Sequence, residues 1–144
     1  MPQQASSAQQ APAPDPAEAA PDAPPGPSHR RRPRHTYGAI DLGTNNCRLL
    51  VARPTEEGFT VIDAFSRVVR LGEGMATSGK LSEAAMDRAV GALAVCAEKL
   101  KRRRVGLARS VATEACRRAV NGRHFVERVK RETGICLEII APEE

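Results

Sequence analysis

The apolar residues of this chain change their spacing part-way along the sequence. Between residues 37 and 65 they form short runs separated by turn residues, namely "YGAID" at 37–41, "CRLLVARP" at 47–54 and "FTVIDAF" at 59–65. From residue 81 the spacing becomes helical, with apolar residues four and three positions apart at Met86, Val90, Leu93, Ala97 and Leu100. Three consecutive strands followed by alternating helices and strands predict an α/β fold in which helices cover a mixed sheet.

Local signals predict where the elements begin and end. We expect Pro54 to stop the second strand and "EEG" to turn the chain into a hairpin. Residues 66–75 start extended and become a glycine-bearing loop. Ser82 is the expected N-cap of the first helix, and Gly134 the expected C-cap of the second. The other predicted elements are a strand at 105–112, a short helical turn at 113–120 and a strand at 135–140, which gives the order β-β-β-α-β-α-β.

The first 35 residues differ from the rest of the chain in composition. They hold nine of the eleven prolines, together with Ala, Gln and Ser, and almost no large apolar side chains. Such a segment cannot bury enough surface to offset its chain entropy, so residues 1–35 are predicted to be a disordered tail and residues 36–144 the folded domain. The tail ends in the basic run "HRRRPRH" at 29–35, which suits either a solvated linker or an arm that binds phosphate or nucleic acid.

Charge and cysteine usage limit the function classes. The formal net charge is +5 and the pI about 9.4, which favours polyanionic partners without choosing among them. No apolar run has the length of a membrane helix, and the N-terminus lacks the apolar core of a signal peptide. The four cysteines are far apart in sequence, so we expect free thiols in the cytoplasm and neither membrane nor zinc binding.

The turn "DLGTNN" at 41–46 contains the candidate chemistry. It follows the first strand, at the end where α/β sheets bind ligands. Gly43 lets a ligand approach the backbone, and Thr44 and Asn45 offer side-chain and backbone donors for an anion. The Asp41 carboxylate would repel phosphate but suits a hydrated magnesium ion. A hairpin turn with an Asx-type acid explains the same residues, so this stretch alone does not distinguish a ligand-binding turn from an ordinary one.

Several stretches in order resemble one family. "IDLGTNNCRLLVA" at 40–52 resembles the first phosphate loop of the actin-like ATPase superfamily and, within it, of the Ppx/GppA exopolyphosphatases and guanosine pentaphosphate phosphatases. "RLGEG" at 70–74 and "LSEAAMDRAVGAL" at 81–93 are similar to that family's next loop and first helix. The resemblance covers residues 37–144 and implies an RNase H-like (actin-like ATPase) lobe, truncated before the second lobe.

A later stretch extends the resemblance. "VATEACRRAVNGRHF" at 111–125 is similar to the family pattern T-x-x-x-R-x-A-x-N-x-x-x-F, with matches at Thr113, Arg117, Ala119, Asn121 and Phe125. The resemblance makes Arg117 the candidate cationic clamp, because a guanidinium can grip phosphate through two parallel hydrogen bonds. A surface ion pair with Glu114 is the alternative role.

The chain also departs from the family pattern. Asn46 stands where Ser or Thr is commoner, and Pro142 replaces a glycine. Glu144 either matches the glutamate just before the family's general base or, with a one-residue deletion, is itself that catalytic base. No second phosphate loop of the D-x-G-G-[GS]-S type occurs in the sequence. We therefore expect an N-terminal lobe that is inactive by itself.

The resemblance implies hydrolytic phosphoryl transfer assisted by magnesium. Asp41 would hold the metal through water, while Gly43, Thr44, Asn45 and Arg117 would bind phosphate. The substrate would be polyphosphate or guanosine pentaphosphate, and the full-length protein could form a homodimer.

Two other functions stay open: the lobe of a nucleotide-dependent kinase, and a small basic RNA-binding module. The RNA-binding module needs stacking aromatics, and the few present are at predicted core positions or strand ends, which makes nucleic acid an unfavoured partner.

Overall fold

A computed structural model describes residues 35–141 and contains a five-stranded mixed sheet. The strands are β1 Tyr37–Leu42, β2 Asn46–Thr55, β3 Gly58–Val68, β4 Leu107–Ala112 and β5 Glu138–Ile139. Their order across the sheet is β3-β2-β1-β4-β5. β1, β2 and β3 pair antiparallel, whereas β4 lies parallel to both β1 and β5. The predicted α/β class with a mixed sheet is confirmed.

Within residues 35–141, four helices accompany the sheet: α1 Met75–Ser78, α2 Glu83–Arg102, α3 Glu114–Arg118 and α4 Gly122–Thr133. α3 is the short helical turn that the sequence predicted, but α1 lies at the end of the predicted loop. It is a four-residue turn bounded by Gly74 and Gly79, both with left-handed φ, and it buries none of its residues. Because α1 has no buried face, its sequence lacks the helical spacing of apolar residues from which a helix is predicted.

Residues 1–34 of the predicted tail and residues 142–144, which include Pro142 and Glu144, lie outside the described residues. The described part of the chain begins just before β1 and ends just after β5. No helix within it is long and apolar enough to span a bilayer.

The prediction that Pro54 stops β2 is wrong, because the strand continues to Thr55. β1 pairs with β2 only as far as Ala52, whereas β3 stays paired opposite Pro54. At Pro54 the strand therefore has a neighbour on one side only, and a missing N–H is tolerated at such an edge position.

One face of the sheet forms the core with the helices. β1 alternates buried and exposed residues, with Ile40 and Leu42 on the buried face, and β2 buries Cys47, Leu49 and Val51 in the same cluster. The opposite face is open and forms a concavity of about 1320 Å³. Asp41, Arg48, Leu50 and Arg109 are among the residues that line it.

Helix α2 is capped as predicted but buries a different stripe. The Ser82 hydroxyl accepts a hydrogen bond from the Ala85 amide at 3.1 Å, and Gly134 ends α4 with a φ of 78°. Met86 and Leu93 are buried as predicted, whereas Val90, Ala97 and Leu100 are only partly buried. The other buried positions of α2 are small: Ala85, Ala89, Ala92 and Cys96.

Candidate active site

Asp41 lies near the end of β1 with its carboxylate exposed. Arg48 is its register partner on β2, and Val111 its partner on β4. Despite that register, no hydrogen bond or ion pair engages the Asp41 carboxylate among residues 35–141. An exposed and unengaged carboxylate fits the requirement for holding a hydrated magnesium ion.

The turn after β1 is closed by its own backbone. The Gly43 amide donates to the Asn46 carbonyl at 2.9 Å, so this amide is already used within the turn. Any part of Gly43 in phosphate binding would therefore come from the close approach that its missing side chain allows, and not from its N–H. Thr44 and Asn45 are exposed, and within the described chain their amides have no acceptor.

Residues 69–73, here called the 69–73 loop, donate backbone hydrogen bonds to the carbonyl groups of this turn. The Thr44 carbonyl accepts from the Gly72 amide at 3.1 Å, and the Asn45 carbonyl accepts from the amides of Val69 and Arg70 at 2.7 and 3.0 Å. In a planar trans peptide the C=O and N–H point in opposite directions. The Asn45 N–H therefore points away from the 69–73 loop, toward the exposed side of the turn.

Close packing explains why a glycine stands at position 72. A Cβ built there would be 2.4 Å from the Thr44 Cγ2 atom, well inside contact distance. The two loops approach so closely that only a residue without a side chain fits between them.

The start of α3 is fastened to the end of β1. The Thr113 amide and hydroxyl both donate to the Leu42 carbonyl, at 3.1 and 3.3 Å. A groove of about 310 Å³ lies beside this junction, and Thr44, Glu114 and Arg118 are among the residues that line it. α3 therefore presents Glu114 and Arg118 next to the turn at 43–45.

Arg117 and Arg118 share one carboxylate. An Arg117 Nη2 atom lies 3.6 Å from Glu114 Oε1, and the corresponding atom of Arg118 lies 2.6 Å from the same oxygen. The ion pair considered as the alternative role for Arg117 is therefore present, although it is long. Sequence reasoning did not select Arg118, which lines the groove beside Thr44; its only signal was being a second arginine on the same short helix.

The other matched residues of the 111–125 stretch are structural. Asn121 accepts from the Leu81 amide at 2.9 Å and donates to the Leu81 carbonyl at 3.0 Å, which joins the start of α4 to the start of α2. Phe125 is fully buried, and Ala119 is in the core. Arg117 is more exposed, with 32% of its side chain accessible to solvent.

A cysteine on α3 is not a plausible nucleophile for this site. Burial raises the pKa of the Cys116 thiol to about 12, so the thiolate is scarce at neutral pH. The candidate groups for the chemistry of the site are therefore the carboxylate, the amides of Thr44 and Asn45, and the arginines.

The family model of the Ppx/GppA phosphatases matches residues 50–144 of the chain. The chain belongs to the Ppx/GppA phosphatase family. The matched range begins after the turn at 43–45 and includes β3, the 69–73 loop and all four helices. The family resemblance predicted from the sequence is confirmed, and with it the actin-like ATPase fold.

Solved structures agree with this membership. The chain is similar to a Ppx/GppA family member from Aquifex aeolicus, with a TM-score of 0.74, 33% identity and coverage of 77% of this chain and 36% of that one. It is also similar to an exopolyphosphatase from Cytophaga hutchinsonii, with a TM-score of 0.70, 31% identity and coverage of 74% of this chain and 34% of that one. The chain spans about a third of the length of these Ppx/GppA relatives.

Proposed function

We propose that this chain supplies the phosphate-binding lobe of a magnesium-dependent phosphohydrolase that removes terminal phosphate from polyphosphate or guanosine pentaphosphate. One observation carries the proposal: the unengaged Asp41 carboxylate lies beside a turn whose Thr44 and Asn45 amides have no acceptor in the described chain. A carboxylate for a metal and free amides for an anion are the two components that phosphoryl transfer needs from such a loop.

Each residue has a distinct part in the proposal. Asp41 holds hydrated magnesium through water, and the amides and side chains of Thr44 and Asn45 bind phosphate oxygens. Arg117 or Arg118 moves from Glu114 to the substrate, because phosphate carries more charge than one carboxylate. Magnesium, when bound, neutralises charge on the phosphate oxygens during the reaction. Glu144, as the general base or its neighbour, stays a sequence-based prediction.

Gly43 supports the proposal through its surroundings. A Cβ at this position would meet the Asn46 carbonyl oxygen at 3.5 Å and the Thr113 Oγ1 atom at 4.0 Å, both ordinary contacts. The protein's own packing therefore does not require glycine here, whereas close approach of a phosphate to the turn would.

Polyphosphate is the first substrate to test, because the similar protein from Cytophaga hutchinsonii is an exopolyphosphatase. Guanosine pentaphosphate shares the same terminal phosphate chemistry. Parallel assays with both substrates separate them by their kcat/KM values.

The test is Asp41→Asn in a full-length protein that contains this lobe. Asparagine keeps the shape and the turn-forming ability of aspartate but loses the charge. We expect turnover at saturating magnesium to fall on the order of 100-fold or more, with an unchanged thermal melt. Asp87→Asn, which neutralises an acid paired with Arg128 on the helices, is the matched control and should keep its activity.

A near-normal rate for folded Asp41→Asn would show that Asp41 only makes an Asx turn. In that case the proposed metal role would be wrong.

A further inference from the structure

Arg88 on α2 holds the 69–73 loop by its carbonyl groups. Its Nε atom donates to the Val69 carbonyl at 2.8 Å, and an Nη2 atom donates to the Arg70 carbonyl at 3.2 Å. The same guanidinium forms an ion pair with the Glu73 carboxylate. One side chain therefore contacts three positions of a five-residue loop.

The amides of that loop hold the turn at 43–45 from the other side. The peptide between Val69 and Arg70 accepts from Arg88 through its C=O and donates to the Asn45 carbonyl through its N–H. Because a trans peptide is rigid and planar, a fixed C=O also fixes the direction of the N–H. One peptide plane thus connects the Arg88 guanidinium to the turn that carries the free amides.

The backbone of the loop needs such support. Arg70 has a φ of 46°, in the left-handed region that residues with a Cβ seldom adopt. A residue in that region persists only where its surroundings hold it there. Arg88 and Asn45 both bond to the peptide groups that flank this position.

We propose that Arg88 is a positioning residue for phosphate binding: it orients the 69–73 loop, and the loop, through the Gly72 bond to the Thr44 carbonyl, orients the Asn45 amide toward the anion. The proposal rests on the proposed function, because it assumes that the turn at 43–45 binds phosphate. Arg88 itself contacts no substrate in this scheme.

The chemistry of the contact calls for arginine. A guanidinium is a rigid fork whose donors reach two carbonyls and a carboxylate in fixed directions, whereas a lysine ammonium is a single point on a flexible stem. Arg88→Lys should therefore keep the ion pair with Glu73 but no longer fix the orientation of the Val69–Arg70 peptide. Arg88→Met removes both, and Glu73→Gln removes the ion pair alone.

The experiment compares these variants in the 144-residue chain with Arg102→Met. Arg102 is the matched control, since it lies on the same helix and pairs only with the exposed Glu98 in the described chain. Amide hydrogen exchange at Val69, Arg70 and Gly72 reports the loop, and titration with tripolyphosphate and magnesium reports phosphate binding. A thermal melt of each variant checks the fold.

We expect Arg88→Met to speed exchange of these three amides about tenfold or more and to weaken tripolyphosphate binding by about tenfold, the equivalent of one lost hydrogen bond to a charged group. Arg88→Lys should fall in between, while Glu73→Gln and Arg102→Met should stay close to wild type. A folded Arg88→Met chain with wild-type exchange and wild-type affinity would overturn the proposal.

The exchange and binding measurements also distinguish failure of this proposal from failure of the function on which it rests. The exchange measurement needs no ligand, so it decides whether Arg88 orders the loop even if wild type fails to bind. Absence of tripolyphosphate binding in wild type would overturn the proposed phosphate site. Faster exchange with unchanged affinity would overturn Arg88 as a positioning residue and leave the phosphate site standing.

Discussion

At the scale of single residues, the candidate site depends on a contact between two loops that are distant in the sequence. Thr44 belongs to the turn after β1, and Gly72 to the loop after β3. The absent side chain at Gly72 leaves room for the Thr44 methyl group, and the Gly72 amide bonds to the Thr44 carbonyl. A β-branched residue holds its methyl group stiffly, so this gap has little freedom to adjust.

We therefore expect Gly72→Ala to destabilise the 144-residue chain by about 1 kcal/mol through overpacking. Thr44→Ser removes the clashing methyl group and keeps the hydroxyl, so the double variant should recover most of that loss. Urea unfolding of the wild type, both single variants and the double variant gives the coupling energy as a double-mutant cycle. Additive effects, with no recovery in the double variant, would show that the two side chains do not meet.

At the scale of elements, α2 is fastened to the outer strand of the sheet by one acid. Asp63 on β3 is only 16% exposed and lies 3.4 Å from Lys99 and 3.2 Å from Arg103. Burial alone would raise the pKa of this carboxyl, but hydrogen bonds from Arg103, the Ala64 amide and Lys99 outweigh it and lower the pKa. The basic residues Lys99 and Arg103 at the end of α2 thus have a structural partner in Asp63.

This pair of contacts predicts a pH-dependent stability. A carboxyl with a lowered pKa in the folded state stabilises the fold above its ordinary pKa of 3.8, and that stabilisation disappears as the pH falls through the folded-state pKa. Asp63→Asn should therefore be less stable than wild type at pH 7, and the difference should close at acid pH, below the ordinary pKa of 3.8. Urea unfolding at neutral pH and at acid pH measures this.

The control for this prediction is Glu98→Gln, which removes an exposed i,i+4 pair with Arg102. Exposed pairs contribute little, so this variant should follow wild type at both pH values. A difference between Asp63→Asn and wild type that stays constant with pH would contradict the electrostatic explanation.

At the scale of the whole molecule, the described residues bring the loops of the candidate site to one end of the sheet. The turn at 43–45, the 69–73 loop and α3 meet at the same end of the sheet, while the opposite face of the sheet is open. Phosphoryl transfer needs the terminal phosphate to be enclosed and aligned with a water molecule. The matched part of this chain covers about a third of the length of its Ppx/GppA relatives.

We therefore expect the 144-residue chain to bind tripolyphosphate in the presence of magnesium but to release no measurable phosphate. Calorimetry would measure the binding, and a phosphate-release assay the turnover, with a full-length protein containing this lobe as the positive control. Robust magnesium-dependent phosphate release by the chain alone would show that the described lobe is sufficient for catalysis.

Local patterns predicted the elements that depend on neighbouring residues. The two-residue and helical periods located the strands and the long helices, and Ser82 and Gly134 were recognised because caps are formed within a few residues of backbone. The turn that follows Asp41 was likewise predictable from its small polar residues. Motif resemblance, a different kind of information, supplied the family.

The remaining features depend on contacts between distant parts of the chain. β2 runs past Pro54 because β1 does not extend to the residue opposite Pro54. Which face of α2 is buried, including its alanines, depends on how the helix packs against the rest of the fold. The Gly43 amide is used by Asn46, and Arg88 reaches a loop 15 to 19 residues before it. The sequence by itself determined the order of the strands and of the longer helices, and the residue types at the candidate site. Only the tertiary structure decided which amides stay free and which arginines face the turn, because those outcomes depend on how separate loops pack together.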